Sequence, residues 1–172
     1  SLIAMSAAFA ARRQESPADR QAMDIIEHEA RSHMADLAEL AGVDAAAYRS
    51  VAAARALPSA TPEEIAARAS AIQEAMHQAT QVPLRVAEAC LEALRLAEVV
   101  AQRGSGMAAG DLIVASLLLH AAQEGAVRDV RINASFFVDE TVAERYRERC
   151  DALLSEGTQL LGATTAATER MT

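Results

Sequence analysis

The chain has 172 residues, a formal net charge of −8, and 52% hydrophobic but only 3% aromatic side chains. This length suits one domain over residues 1–172, and a core of small aliphatic side chains favours helices packed on helices over a sandwich of sheets. The acidic balance, without a basic stripe interleaved with aromatic residues, argues against a nucleic-acid-binding protein.

The first predicted element is an apolar helix over residues 1–13. Its apolar run is shorter than the roughly 20 residues that cross a membrane, and the Arg12-Arg13 pair follows it, whereas a signal peptide carries its charge first. Cys90 and Cys150 form no CxxC pair, and we expect buried, reduced thiols. We therefore expect a cytoplasmic protein with no membrane segment.

The next segments alternate helical periodicity with breaks. Apolar residues at three- and four-residue steps predict a helix over residues 18–40. We expect Gly42 to end or bend this helix and Asp44 to cap another over residues 45–57.

The middle of the chain has a strong helix start. Thr61-Pro62-Glu63-Glu64 combines an N-cap, a proline in the first turn and a capping-box glutamate. That helix is expected to reach about residue 81, and Pro83 to start or kink the next, which runs to Arg103.

The last third follows a glycine-containing loop over residues 104–110. Asp111 is expected to cap a very apolar helix over residues 112–127 that is central and buried on several sides. Within residues 128–137, residues 130–133 alternate like a strand, but a lone strand has no partner, so we favour continued helix or an irregular turn for this stretch. Asp139 should start a last helix that ends near residue 161 before a fraying tail. Together these elements predict an all-α bundle of about six or seven helices.

Histidines and nucleophiles give no clear site. His28 and His33 lie among acidic residues, and Glu74 and His77 form one Glu-x-x-His motif, whereas di-iron bundles use two. His120, alone on an apolar helix, is more typical of a hydrogen-bonded core residue than of a catalytic group. The chain has no phosphate loop, HExxH or GxSxG motif. We predict no metal, and a ligand-binding bundle of another kind, with or without a metal, stays open as a further interpretation.

Three stretches resemble the cyclodeaminase/cyclohydrolase family, which contains the C-terminal domain of formiminotransferase-cyclodeaminase and bacterial methenyltetrahydrofolate cyclohydrolases. The first is residues 44–58, with the family's Asp, Tyr, Val, Ala and Leu-Pro spacing. The second is residues 68–84, which ends in Val-Pro-Leu. The third runs from Gly104 through Asp111 to the Val-Arg-Ile-Asn of residues 130–133 and on to residue 139. The likeness covers about residues 1–155 in order and spacing.

The resemblance implies a helical bundle that forms a homodimer and binds a tetrahydrofolate derivative, its substrate, in a cleft near the subunit interface. The implied reaction is either loss of ammonia from 5-formiminotetrahydrofolate with ring closure or addition of water to the methenyl bridge. Both pass through a tetrahedral carbon between N5 and N10, and both need a positioned proton-transfer group, for which a carboxylate is suited.

Two aspartates are the candidate catalytic carboxylates. Asp111 is the first choice, because a helix start at the mouth of a loop places it beside a cleft, and a plain N-cap is its alternative role. Asp44, which shares a helix face with Tyr48, is the second choice.

The candidate substrate-binding residues have complementary chemistry. We expect Tyr48 to stack on or hydrogen-bond the pterin, Asn133 to bond its amide edge, and Arg55 or Arg131 to meet the glutamate tail. Ser105 completes this set. From periodicity alone, each of these polar residues belongs either to a structural network or to a site.

The chain also departs from the family pattern. Ser105 and Asp129 stand where Asn is usual, and Gly110 stands where Ser is usual. The family's Pro-Gly-Gly-Gly-Ser segment would precede Ser1, and because the chain begins in mid-pattern we expect native residues before it. These changes favour an alternative function: a catalytically degenerate binding or scaffold protein of the same fold.

Overall fold

A computed structural model describes residues 1–104 and 108–171 and shows five helices in them, with no strand. The helices are α1 (Leu2–Ala11), α2 (Pro17–Arg55), α3 (Pro62–Arg103), α4 (Ala109–Ala134) and α5 (Glu140–Glu169). The all-α prediction is confirmed, whereas a count of six or seven helices was too high.

The count differs because two predicted breaks are continuous helix. α2 passes through Gly42 without ending, and Asp44 lies in the helix interior rather than at an N-cap. Pro83 lies inside α3, which likewise continues on both sides. A glycine or proline weakens a helix locally, but packing of the surrounding turns against neighbouring helices outweighs that cost.

Of the other three predicted N-terminal caps, two are formed and one is not. The capping box of α3 is formed, since Glu64 N donates to Thr61 Oγ1 at 3.2 Å and Thr61 N donates to Glu64 Oε2 at 3.1 Å. Asp139 caps α5 by accepting from Thr141 N at 2.9 Å. The N-cap of α4, however, is Ala108, and Asp111 lies within the first turn. The prediction that Asp111 caps this helix was therefore wrong.

The last two helices extend further along the chain than predicted. Residues 128–134 continue α4, which confirms the preference for helix over strand. α5 extends beyond residue 161 to Glu169, because Thr164, Ala167 and Thr168 are buried. A fraying tail was therefore wrong for this segment.

The centre of the bundle is α3, which packs against each of the other four helices. One apolar cluster, around Met23, Val100 and Leu112, joins it to α1, α2, α4 and the end of α5. A second cluster, around Leu91 and Leu153, joins it to α4 and α5. α4 is less central than predicted, since one of its faces leaves large aliphatic side chains exposed.

Candidate functional site

A cleft of about 290 Å³ lies between α2 and α4, with α3 as its floor. α3 packs against both helices, whereas α2 and α4 form no comparable interface with each other in the described part of the chain. α2 contributes Asp44, Tyr48 and Arg55, at spacings that place them on one helix face. α4 contributes Asp129 and Asn133, one turn apart on its facing side.

Asn133 is positioned by a defect in α3. Pro83 has no N–H, so the carbonyl of Ala79, four residues earlier, receives no helical hydrogen bond. The Nδ2 of Asn133 donates to that carbonyl at 3.1 Å and replaces the missing donor. This contact leaves the acceptor Oδ1 of Asn133 for other partners in the cleft.

Aromatic and cationic groups form the outer part of the cleft. The Tyr48 side chain is 75% exposed, so its ring is accessible to a ligand. The guanidinium of Arg55 lies 5.7 Å from the centre of the Phe136 ring, a cation–π contact. Gln73 fixes the turn that carries Phe136 by donating to its carbonyl at 3.0 Å and accepting from Val138 N at 3.1 Å.

Two carboxylates, Asp44 and Asp129, line the same cleft from opposite helices. Both side chains are exposed to solvent. A carboxylate in such a position has the chemistry to attract a cationic group and to accept or donate a proton. The cleft therefore has a negatively charged part, with Asp44 and Asp129, and a positively charged part, with Arg55.

The structure brings Asp44, Tyr48, Arg55 and Asn133 together in this cleft, but not the other predicted site residues. Arg131 points toward α5, where it pairs with Asp151. Asp111 lies in the first turn of α4, and at about 1.5 Å per residue it is roughly 33 Å along the helix axis from Asn133. Ser105 lies outside the described residues.

Among the charged, polar and aromatic residues of the cleft, sequence reasoning left two unassigned. Asp129 was noted only as a departure from the family pattern, and Phe136 was not considered. The signal for Asp129 was its four-residue spacing from Asn133, which places both on one helix face.

The two cysteines and His120 lie outside the cleft, in packed or hydrogen-bonded positions. Cys90 and Cys150 are buried free thiols, as predicted. Burial raises the pKa of Cys90 to about 11 and also raises the pKa of Cys150, which disfavours the nucleophilic thiolate. The ring of His120 hydrogen-bonds Thr158 Oγ1 at 3.1 Å.

Two further kinds of feature are absent from the described ranges, a cluster of metal ligands and a membrane-spanning helix. Within residues 1–104 and 108–171, His, Cys, Asp and Glu side chains form no group of three or more that could hold a metal ion. No helix in these ranges has the length and apolar character needed to cross a membrane.

Comparison with known proteins places this fold and cleft in context. Residues 1–152 match a family model described as formiminotransferase-cyclodeaminase. A methenyltetrahydrofolate cyclohydrolase of Methylorubrum extorquens is 40% identical over 113 residues, which are 66% of this chain and 54% of that protein. A formimidoyltransferase-cyclodeaminase of Rattus norvegicus is 36% identical over 122 residues, which are 71% of this chain and 23% of that protein.

A solved structure shows the same fold. The chain superposes on formiminotetrahydrofolate cyclodeaminase from Thermotoga maritima with a TM-score of 0.74 and 22% identity, covering 98% of this chain and 84% of that one. The chain spans about half the length of the cyclohydrolase and about a quarter of the rat protein. The match to the family model nevertheless extends over most of the chain, so this chain belongs to the formiminotransferase-cyclodeaminase family.

Proposed function

We propose that this chain is an enzyme of folate one-carbon chemistry, either a formiminotetrahydrofolate cyclodeaminase or a methenyltetrahydrofolate cyclohydrolase. Family membership and the names of the relatives support the substrate class. The observation that carries the proposal is the cleft that gathers Asp44, Tyr48, Arg55 and Asn133, which come from two of the three family-like stretches.

In the hydrolytic direction, the cleft would hold a methenyl cation that bridges N5 and N10. A carboxylate takes a proton from water as the water oxygen bonds to the bridging carbon. The protonated carboxyl then returns that proton to one ring nitrogen as its bond to carbon breaks, and the hydroxyl proton leaves to solvent. In the deamination, N10 attacks the carbon of the protonated formimino group (=NH2+), and the N10 proton passes through the carboxylate to that nitrogen. The bond from carbon to this nitrogen then breaks, which releases NH3 and leaves the methenyl cation bridging N5 and N10.

We assign the carboxylate role to Asp44, because it lies in the cleft with the binding residues. Asp111 remains a predicted catalytic residue, but within one protomer it is too far along α4 to act on a ligand beside Asn133. Only a second subunit could bring an Asp111 to this cleft. Contacts of Arg55 or Arg131 with a glutamate tail, and of Ser105 with substrate, likewise stay predictions.

A homodimer is part of the proposal. α4 exposes Val114, Leu117 and Leu118, which are 48%, 52% and 64% exposed, and Met34 of α2 is 50% exposed. Leu118 and Met34 also line an apolar groove of about 280 Å³ between these helices and α1. A contiguous exposed apolar surface of this kind is typical of a protein interface, and a second copy of the chain would cover it.

The test compares variants at the two candidate carboxylates. Asp44→Asn should lower turnover about 10²–10⁴-fold, because it removes the proton-transfer group. Binding of 5-formyltetrahydrofolate, measured by calorimetry, should survive. Turnover is followed both as ammonia release from 5-formiminotetrahydrofolate and as methenyl hydrolysis, and the faster reaction decides between the two activities.

Two further variants make this test specific. Asp24→Asn changes an exposed aspartate of the same helix outside the cleft and should leave turnover unchanged. If Asp44→Asn keeps full turnover while Asp111→Asn loses it, the catalytic role belongs to Asp111 and our assignment is wrong.

The alternative function is a helical binding or scaffold protein that has lost catalysis. Asp129 supports it, since the structure places this departure from the family pattern inside the cleft. A protein that neither binds 5-formyltetrahydrofolate nor turns over either substrate would favour this alternative. For either function we propose a cytoplasmic location, with no nucleic-acid partner and no required metal.

A further inference from the structure

A second cleft, of about 430 Å³, continues the candidate site along the seam between α2 and α4. The two clefts adjoin because Asp44, Pro83 and Asp129 line both. The second cleft is otherwise apolar, with walls that include Leu40, Val82 and Gly125. The two clefts together form one elongated groove with a pair of carboxylates at its middle.

Gly125 lines this second cleft without a side chain of its own. It lies in the interior of α4, where glycine destabilises a helix relative to alanine. Neither backbone nor packing explains it, because no described residue has the positive φ that favours glycine, and a Cβ added at Gly125 meets nothing within 4 Å. Because Gly125 lines the cleft and an added Cβ there meets open space, we expect a large side chain at this position to extend into the cleft.

The groove has a chemical order along its length. One end is polar, with the Asn133 amide, Tyr48 and Arg55. The middle carries negative charge, and the other end is apolar. A matching ligand has a polar ring, a cationic centre and an apolar ring in that sequence, which is the arrangement of a methenyl-bridged folate: pterin, N5–carbon–N10 bridge, and aminobenzoyl ring.

We propose that the apolar cleft binds the aminobenzoyl ring of the substrate, and that Gly125 is the residue that admits it. The bridging carbon then lies between Asp44 and Asp129, and the pterin lies against Tyr48 and Asn133. This inference rests on the proposed function. It makes Asp129 a second carboxylate at the reacting carbon, and it places Arg55 at the pterin end rather than at the glutamate tail.

The test measures binding of two ligands to the full chain. One is 5-formyltetrahydrofolate, and the other is 5-formyl-6-methyltetrahydropterin, which lacks the aminobenzoylglutamate. Gly125→Leu should weaken the first by about 10- to 100-fold, the contribution of burying one apolar group of this size. Binding of the second should not change.

Two matched variants distinguish the effect of filling the cleft from the effect of placing leucine at any exposed position of a helix. Gly162→Leu makes the same change at another exposed helical glycine with nothing within 4 Å of an added Cβ, outside this cleft, and should alter neither affinity. Ala122→Leu fills the cleft from the same helix and should reproduce Gly125→Leu.

Each other outcome is decisive. Equal loss for both ligands would place the pterin in the apolar cleft and overturn the orientation. No loss for either ligand in Gly125→Leu and Ala122→Leu would show that no ring binds there. If the unaltered protein binds neither ligand, the proposed function itself fails, which is a different result from failure of this inference.

Discussion

At the scale of single residues, Asn133 joins the stability of the bundle to its candidate site. Its amide supplies the hydrogen bond that Pro83 denies to the carbonyl of Ala79. The same contact orients the remaining amide oxygen in the cleft. A residue predicted as a substrate contact therefore also stabilises α3, by supplying a hydrogen bond that the helix lacks.

This dual role predicts a specific coupling. Asn133→Ala should lower the free energy of unfolding by about 1–3 kcal/mol, because it leaves the half-buried Ala79 carbonyl without a donor. In a Pro83→Ala background the restored backbone N–H can bond that carbonyl, so the cost should shrink. Urea unfolding of the four proteins measures the coupling. Equal costs in both backgrounds would show that the hydrogen bond does not compensate for the proline.

Gln123 and Gly157 form a second residue-scale pair. Gln123 is fully buried and donates from Nε2 to the Leu153 carbonyl at 3.1 Å. A Cβ at Gly157 would lie 1.9 Å from Gln123 Oε1. Gly157→Ala should therefore destabilise the protein by about 1–3 kcal/mol, since the enclosed amide cannot move without losing its hydrogen bond.

The control for this prediction lies in the same helix. Gly162→Ala has open space around the new Cβ and should be neutral or stabilising by up to about 1 kcal/mol. Thermal or urea unfolding compares the two variants directly. Similar effects of both substitutions would mean that helix propensity, not the clash with Gln123, governs Gly157.

At the scale of elements, the continuity of α2 positions the site. Asp44, Tyr48 and Arg55 share one helix face by their spacing, and the unbroken passage of α2 through Gly42 connects that face to the N-terminal half of the helix, which packs in the bundle. With a stop at Gly42, the segment that carries these side chains would be held only by its own packing on α3, such as that of Ala47 in one cluster with Val82. In this chain a helix, and not a loop, carries the site residues on this side of the cleft.

Gly42→Ala tests that continuity. With nothing within 4 Å of the added Cβ, the substitution should raise the free energy of unfolding by about 0.5–1 kcal/mol, the helix preference of alanine over glycine. It should leave ligand affinity unchanged. Destabilisation measured by urea unfolding would indicate that this segment of α2 is not helical in solution.

At the scale of the whole molecule, the distribution of apolar surface predicts an assembly. The exposed aliphatic side chains of α4 form a patch, whereas single exposed apolar residues are common on protein surfaces. We propose that a second copy of the chain covers this patch. Leu118→Arg should convert the dimer to a monomer, because it places a charge in the middle of the buried face.

Light scattering after gel filtration measures the mass of each species. Ile65→Arg, at a similarly exposed aliphatic residue near the start of α3, should leave the dimer intact. A Leu118→Arg protein that keeps the mass of the unaltered dimer would exclude this face as the interface.

Local signals in the sequence determined the helical class, the capping box at Thr61, the start of α5 at Asp139 and the family. These features depend on residues close together in the chain, so periodicity and side-chain chemistry reveal them. Spacing also placed Asp44 and Tyr48 on one face, although Asp44 was wrongly expected at a helix start.

Tertiary structure alone decided which distant residues meet. The passage of α2 through Gly42 and the burial of the end of α5 depend on packing against neighbouring helices. The same is true of the hydrogen bond from Asn133 to Ala79 and of the groove that Asp129 shares with Asp44. Helix propensities act over a few residues, whereas these contacts depend on how whole helices are placed relative to one another.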